Sequence, residues 1–543
     1  MLRAICLKIR NPNPRNPKEI RISKSESSFP PRSKREGKGF RPSALSDFGL
    51  RISFGSRISA FGFYLLISFL LPLHLLGETA DEAIVRATAA MHAASPRAQA
   101  DPSHPLFHVI SPAQWMNDPN GPIYYKGFYH VFYQLTPYSA DSGVKYWGHA
   151  RSRDLVKWET LPIAIAPSGD LGEDSIWSGC CTINGLGRPM IFYTSIGQGK
   201  SAFDQAVQWA AIGDDNLIHW QKSPANPVLS EPVNDGVKIY DWRDPFIFHD
   251  GKQTFLVTGG HLAHEGEAAV SIYEAQNAGL TQWKYRGPLF KLPEKPTAEC
   301  PNFFQLGNQW VLFVSPYGKV QYFVGDFDAR IYRFTAHKTG VVDYGSFYAP
   351  NTMLVPDGRR LTWGWLNGFP GGHAWNGCLS LPRQLSLSSD GDLRQTPAPQ
   401  LSKLRGKPVS WRNVPLQTAG QTFQLPATNT LEIEADIDLQ SAKNIALEIK
   451  GASPDSKPVV INFDGAQLAV MDTTAPLQIS GDRKKLNLRI FIDRSVLEVF
   501  ANDTACITKI IPTLDTDAVL KIRADGGTAS VEKIQAWPMT TIW

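Results

Sequence analysis

Between Trp115 and Pro382 a glycine, one or two polar or turn-forming residues and then an apolar, aromatic run return five times: Gly127-Phe-Tyr-His-Val-Phe-Tyr133, Gly187-Arg-Pro-Met-Ile-Phe-Tyr193, Gly251-Lys-Gln-Thr-Phe-Leu-Val257, Gly307-Asn-Gln-Trp-Val-Leu-Phe313 and Gly358-Arg-Arg-Leu-Thr-Trp-Gly-Trp365. Runs of this length and content predict β-strands entered from a turn. Their glycines lie 60, 64, 56 and 51 residues apart, room in each unit for a four-stranded blade. A second motif keeps the same phase: Leu155-Val-Lys-Trp158, Leu217-Ile-His-Trp220 and Leu280-Thr-Gln-Trp283 are spaced by 62 and 63 residues. From about Ser410 the texture changes to alternating strands without that period, Leu431–Leu439, Val459–Phe463, Leu486–Asp493 and Val496–Phe500, the pattern of a β-sandwich. The predicted fold is all-β, a five-bladed β-propeller over residues 101–400 followed by a C-terminal β-sandwich over 410–543, with the linker near Pro397 to Pro408.

The first hundred residues read differently. Ile58 to Leu76 is an apolar run with Phe61 to Leu71 at its centre, preceded by a basic stretch and followed by Gly77-Glu-Thr-Ala-Asp81. That is the order of a secretory signal, and its length also approaches that of a membrane anchor. Either reading predicts export, to the outside of the cell or the periplasm, with membrane attachment only if the segment stays uncleaved. Residues 1 to about 100 are expected to be leader, signal or anchor (58–76) and weakly ordered linker.

Charge follows the same division. Residues 1–57 hold 14 Lys and Arg against 4 Asp and Glu, so of the chain's 55 basic and 50 acidic residues the remainder keeps 41 and 46. The body is mildly acidic and lacks the basic footprint of a nucleic-acid binder. Fifteen Trp, sixteen Tyr and twenty-eight Phe, with forty-four Gly and forty Pro, disfavour a helical bundle. Beyond Cys6 in the leader the cysteines are Cys180, Cys181, Cys300, Cys378 and Cys506, an odd number without metal-ligand spacing. They indicate neither a disulfide framework nor a zinc site, and read as small buried residues.

The repeat also orders the acids. Asp118 precedes its glycine by 9 residues, Asp244 by 7 and Glu299 by 8, which places carboxylates from the first, third and fourth blades on inner strands around one axis. The same offset in the second and fifth blades lands on Ser178-Gly179 and Tyr348-Ala349-Pro350. Clustered carboxylates are costly unless one stays protonated, and a protonated acid beside an ionised one is what glycosidic cleavage needs. Each has a plainer reading: Asp118 in an Asx turn, Glu299 on the surface, Asp244 paired with Arg243. Their shared phase favours the pocket. His149 is read as a buried structural histidine.

Here the residues meet a family. Trp115-Met-Asn-Asp-Pro-Asn-Gly121, Arg243-Asp-Pro245 and Glu299-Cys300 resemble, in order and spacing, the three signature motifs of glycoside hydrolase family 32, the β-fructofuranosidases. Tyr133-Gln134, Trp147-Gly-His-Ala150, Trp177-Ser-Gly179, Asp343-Tyr-Gly345, Phe347-Tyr-Ala349 and Leu381-Pro-Arg383 extend the match, and Ile492 to Phe500 is similar to that family's sandwich strand pair. The resemblance covers residues 104 to 543. It implies a propeller with a sandwich and retaining hydrolysis of terminal β-fructofuranosides such as sucrose and fructans, with no metal or cofactor. Asp118 would be the nucleophile, Glu299 the acid/base and Asp244 a stabiliser gripping fructose hydroxyls, with Asn117, Gln134, Trp177, Ser178, Arg243, Tyr348 and Trp365 holding the sugar. On the residues themselves, amides of Asn117 and Asn120 and backbone N–H groups of the turn Pro119 to Gly121 are expected to keep Asp118 ionised.

Two departures stand out. Many relatives carry a Trp eight residues after the glutamine, where this chain has Ser142, so the aromatic wall is expected to be incomplete or supplied from the loop holding Tyr138 or Tyr146. Cys180-Cys181 replaces a smaller pair. The competing activities are fructosyl transfer through the same intermediate and, from a different class, a fructan-binding propeller without catalysis. The unaltered Trp115 to Gly121 and the intact acids favour hydrolysis.

Overall fold

The structure, a computed structural model, describes residues 77–479 and 484–543. The apolar run 58–76 lies outside them. Five sheets follow one another along the described chain, and their first strands are β1 (Gln114–Tyr125), β2 (Glu173–Ile183), β3 (Ile239–Asp250), β4 (Glu299–Leu306) and β5 (Phe347–Leu354). Each continues through three further antiparallel strands. Each first strand packs on that of the next sheet, and β5 packs on β1. This closed ring makes the five sheets the blades of a propeller. Trp375–Asn376, from the segment within the fifth sheet, pairs in parallel with Gln114 and Trp115 and ties the last blade to the first.

Both repeat motifs have a backbone cause. Each repeat glycine lies in the connection between the first and second strand of its blade, with φ from 57° at Gly251 to 85° at Gly127, a region that L side chains rarely enter. The Leu-x-x-Trp motif closes the turn before the fourth strand. Leu155, Leu217 and Leu280 have φ of 67°, 59° and 57°, and each leucine carbonyl accepts the indole N–H of Trp158, Trp220 or Trp283 at 2.9 to 3.1 Å. The tryptophan recurs because the turn needs a buried donor three residues on.

The sandwich comprises two six-stranded sheets. Leu431, Ile433, Ala435 and Ile437 point alternately into its core against Ile445, Leu447 and Ile449. The predicted linker is packed rather than free: Pro399–Leu404 is a 3₁₀ turn that buries Leu401 and Leu404.

One buried polar network joins sandwich to propeller. Glu498 accepts from Arg383 Nη2 (2.7 Å), the Leu381 N–H (2.7 Å) and His108 Nε2 (3.1 Å). Asp493 accepts from the Phe107 N–H (2.7 Å) and His108 Nδ1 (2.8 Å), and Arg383 also reaches Asp343 at 2.9 Å. Burial pushes the His108 pKa down, but hydrogen bonds and charge from the two acids override it and hold it at about 9. Removing one partner would leave a buried charge uncompensated, a loss of about 3–5 kcal/mol. The family-like strings Leu381-Pro-Arg383, Asp343-Tyr-Gly345 and Ile492 to Phe500 thus serve the domain junction, not the sugar.

Residues 80–99 correct the expectation of a weakly ordered linker. Ala80–Gln99 is a 20-residue helix, α1, opened by a capping box between Thr79 and Glu82. Ala83, Ala87 and Met91 bury its inner face in the core shared with the first blade.

Candidate active site

All five inner strands are bulged at one level. The pairing register breaks between Met116 and Pro119, Ile176 and Gly179, Arg243 and Phe246, Glu299 and Asn302, and Tyr348 and Asn351. A proline, which cannot donate to the ladder, stands at four of these breaks: Pro119, Pro245, Pro301 and Pro350. At three the residue before it adopts positive φ, 60° at Asp244, 48° at Cys300 and 46° at Ala349. A bulge suspends the two-residue alternation of a strand. Consecutive side chains therefore share the site: Asn117 with Asp118, Trp177 with Ser178, Arg243 with Asp244, and Glu299 with Cys300.

Asp118 is held by neutral donors. Its Oδ1 accepts from Asn117 Nδ2 at 3.0 Å and its Oδ2 from Ser178 Oγ at 2.5 Å. Gln134 spans that pair, accepting from Asn117 Nδ2 and donating to Ser178 Oγ at 2.7 Å, and Trp115 Nε1 fixes the Asn117 amide at 2.9 Å. The donors expected from the turn do not reach it. Pro119 has no N–H, and Asn120, whose Oδ1 accepts the Gly179 N–H at 3.3 Å, leaves its Nδ2 buried without a partner. No backbone N–H reaches the Asp118 carboxylate among the described residues, because the segment is a bulged strand and not an open turn.

Asp244 Oδ2 accepts the Cys300 N–H at 2.9 Å, and its own N–H donates to Thr194 Oγ1 at 2.8 Å. The Cys300 thiol lies 3.6 Å from Asp118 Oδ2 and 3.5 Å from Asp244 Oδ2, between the two acids. Burial pushes the Asp244 pKa up to about 6, with Arg243 opposing and Asp118 reinforcing. Arg243 does not pair with Asp244. Its Nη2 bridges Asp241 at 2.7 Å and Glu299 Oε1 at 2.8 Å over the Trp177 ring. By register Glu299 matches Arg243, and Cys300 matches Asp244, so the offset comparison that equated the acids was one residue out at the fourth blade. The bulge brings Glu299 to the pocket regardless.

Glu299 Oε2 lies 2.5 Å from the Tyr348 hydroxyl, which is 2.9 Å from the Ser315 carbonyl. One phenolic proton serves one acceptor. With it given to Ser315, a protonated Glu299 donates to the Tyr348 oxygen and every partner is satisfied. The electrostatics agree, since burial pushes the Glu299 pKa up to about 8, Arg243 and Tyr348 pulling it down and Asp244 and Asp118 pushing it further up. Beside Asp244 lies a small void of about 10 Å³ lined also by Pro119, Ser178 and Pro301.

Nine of the ten residues singled out in the sequence meet here. Trp365 stands one layer back, its ring edge-on to Trp115 at 5.7 Å. His149 is fully buried, stacked on Phe132 and 3.0 Å from His130, as a structural histidine. Cys300, read as a small core residue, is a site residue, and the proline after it was the available signal. Asp241 and Tyr317, which share Arg243 Nη2, and Lys145 carried no sequence signal. Tyr138 and Tyr146 pack on each other at 6.1 Å, and Tyr138 accepts from Arg86 of α1 at 3.0 Å.

Comparison with known proteins agrees with this geometry. The profile described as Glycosyl hydrolases family 32 N-terminal domain matches residues 108–397, and that described as Glycosyl hydrolases family 32 C terminal matches 400–538. A sucrose-6-phosphate hydrolase of Zymomonas mobilis is 32% identical over 77% of this chain and 88% of its own. A levanase of Bacillus subtilis is 31% identical over 81% and 71%. Among solved structures, a Bombyx mori GH32 beta-fructofuranosidase mutant in complex with sucrose superposes with a TM-score of 0.72 at 25% identity, covering 85% of this chain and 98% of its own.

Proposed function

The chain belongs to glycosyl hydrolase family 32 and is a β-fructofuranosidase-type glycosidase of sucrose and fructans, and we propose how its residues divide the reaction. Asp118 attacks the anomeric carbon of a terminal fructofuranosyl unit as Glu299 gives its proton to the departing oxygen. The resulting fructosyl-enzyme is then hydrolysed by a water that Glu299, now a carboxylate, deprotonates. Asp244 accepts fructose hydroxyls. Arg243, 2.8 Å from Glu299, stabilises the negative charge left on the acid, and Asn117, Gln134, Ser178, Trp177 and Tyr348 shape the sugar pocket, with Trp365 behind Trp115. The observation that carries this division is the contrast in partners: Asp118 accepts from Asn117 and Ser178, while burial holds Glu299 protonated near neutrality.

Incubation with sucrose, inulin and levan, with products resolved, is expected to yield free fructose as the main product on at least one of them. Accumulation of longer oligosaccharides from sucrose as the main product would instead mark a transferase.

Export is proposed on the apolar run 58–76. Cleavage just after it would spare the folded body, since the capping box at Thr79 and the Glu78–Arg86 contact begin immediately beyond. N-terminal sequencing of protein recovered outside the cytoplasm is expected to start near Gly77. Intact residues 58–76 in a membrane fraction would point to an anchor.

A further inference from the structure

The replacement of an expected tryptophan by Ser142 leaves a question about the pocket wall, and the structure puts a buried cation beside it. Lys145 is only 8% exposed. Its ammonium donates to Ser142 Oγ at 2.8 Å and Thr136 Oγ1 at 3.3 Å and lies 5.2 Å from the centre of the Trp115 ring. Its backbone is clamped to β2, the N–H donating to Ser175 Oγ at 3.1 Å and the carbonyl accepting from Ile176 at 3.3 Å. No carboxylate forms an ion pair with it among the described residues. Trp115, whose face it covers, holds Asn117, and Asn117 holds Asp118.

We propose that Lys145 is a positioning residue for the nucleophile, fixing the Trp115 ring that holds Asn117 against Asp118 and adding a cationic field on that side of the carboxylate. This rests on the reading of Asp118 as nucleophile. Asp118 has only neutral hydrogen-bond donors, so no cation touches it directly. The other pocket cation, Arg243, is engaged by Asp241 and Glu299. Burial pulls the Lys145 pKa down to about 8, and the charge of Asp118 is what opposes that fall, so the two groups feel each other. A cation held on an aromatic face and two hydroxyls and largely buried is screened less than a surface charge. The same charge opposes the oxocarbenium-like transition state, so its effect is read in a pH profile more cleanly than in kcat alone.

Other groups that titrate or carry charge near the pair are accounted for. In the pocket these are Asp241, Arg243, Asp244, Glu299 and Cys300. On the side of Lys145 stand Tyr138, Arg86 and Tyr146, the last with its pKa pushed up by burial, while Asp141 and Asp174 are exposed on the flanking loop and strand. None of these is removed by changing Lys145.

The test compares wild type with Lys145→Met and Lys145→Arg in kcat/KM on sucrose between pH 4 and 9, with thermal midpoints measured alongside. The Met variant is expected to move the acidic limb up by about one pH unit, losing roughly ten-fold in kcat/KM at pH 5 and much less at pH 7. The Arg variant is expected to restore the limb. A Met variant whose limb coincides with wild type, or activity lost at every pH with no recovery by Arg, overturns the proposal. The premise is checked separately by locating the fructosyl label in a Glu299→Gln background. Label on Asp118 with an unmoved limb overturns the role of Lys145 alone, and label on another residue overturns both.

Discussion

Asp118→Ala and Asp118→Asn are expected to lower kcat by roughly 10³-fold or more, about 4 kcal/mol of transition-state stabilisation, with the fold intact. The size of the loss follows from the role. Glu299 holds a proton near neutrality, and burial raises Asp244 to about 6, so neither replaces Asp118 as the nucleophile. Asn at 118 keeps the shape and can still meet Ser178 and Asn117, so it separates loss of the nucleophile from loss of packing. The check is steady-state turnover on sucrose together with the thermal midpoint. Turnover within ten-fold of wild type in a folded Asn variant would sink the assignment.

The second large effect depends on the leaving group. Glu299→Ala should be crippled on sucrose and fructans, whose departing oxygens need a proton, and far less impaired in forming the fructosyl-enzyme from fructosyl fluoride, whose fluoride leaves without full protonation. Hydrolysis of that intermediate stays slow because the same residue activates water, so a burst followed by a weak steady state is expected, and azide should accelerate the second phase. The pH profile gives the sign independently. The acid must be protonated, so wild-type kcat/KM should fall as pH rises through about 8, the value to which burial raises Glu299. On the acidic side Asp244, raised to about 6 by burial, is the pocket acid that titrates. In the Ala variant the alkaline limb should vanish. Equal slowness on sucrose and fructosyl fluoride, no response to azide and a surviving bell would show Glu299 to be structural.

How far the sequence reveals this arrangement depends on which physical constraint each residue obeys. Blade number and sandwich were legible because hairpin connections demand glycine and the indole-capped turns demand tryptophan, local needs that recur with the blade. The three acids were legible for a similar reason, since each sits seven to nine residues ahead of its hairpin glycine. The exact register was not. Four inner strands carry a proline at the bulge, and reading Pro119, Pro245, Pro301 and Pro350 as bulge markers would have shown that alternation fails there and that Cys300 faces the pocket. Helix α1 was missed although Thr79-Ala-Asp-Glu82 spells a capping box ahead of Ala83, Ala87 and Met91, because the apolar run before it drew the segment into the leader. Lys145, Asp241 and Tyr317 are different. Their roles come from contacts across 74 residues, as between Arg243 and Tyr317, or from packing on Trp115, which no local pattern encodes.

The central claim is that Asp118 carries the fructosyl group while Glu299 moves the protons. Its most direct test is to incubate Glu299→Gln with fructosyl fluoride, quench, digest and locate the added fructosyl mass by peptide mass spectrometry. The account predicts label on the peptide spanning Trp115 to Gly121, at Asp118, released on adding azide. Label on Asp244 or any other residue, or turnover of the fluoride with inverted product and no label at all, would contradict it.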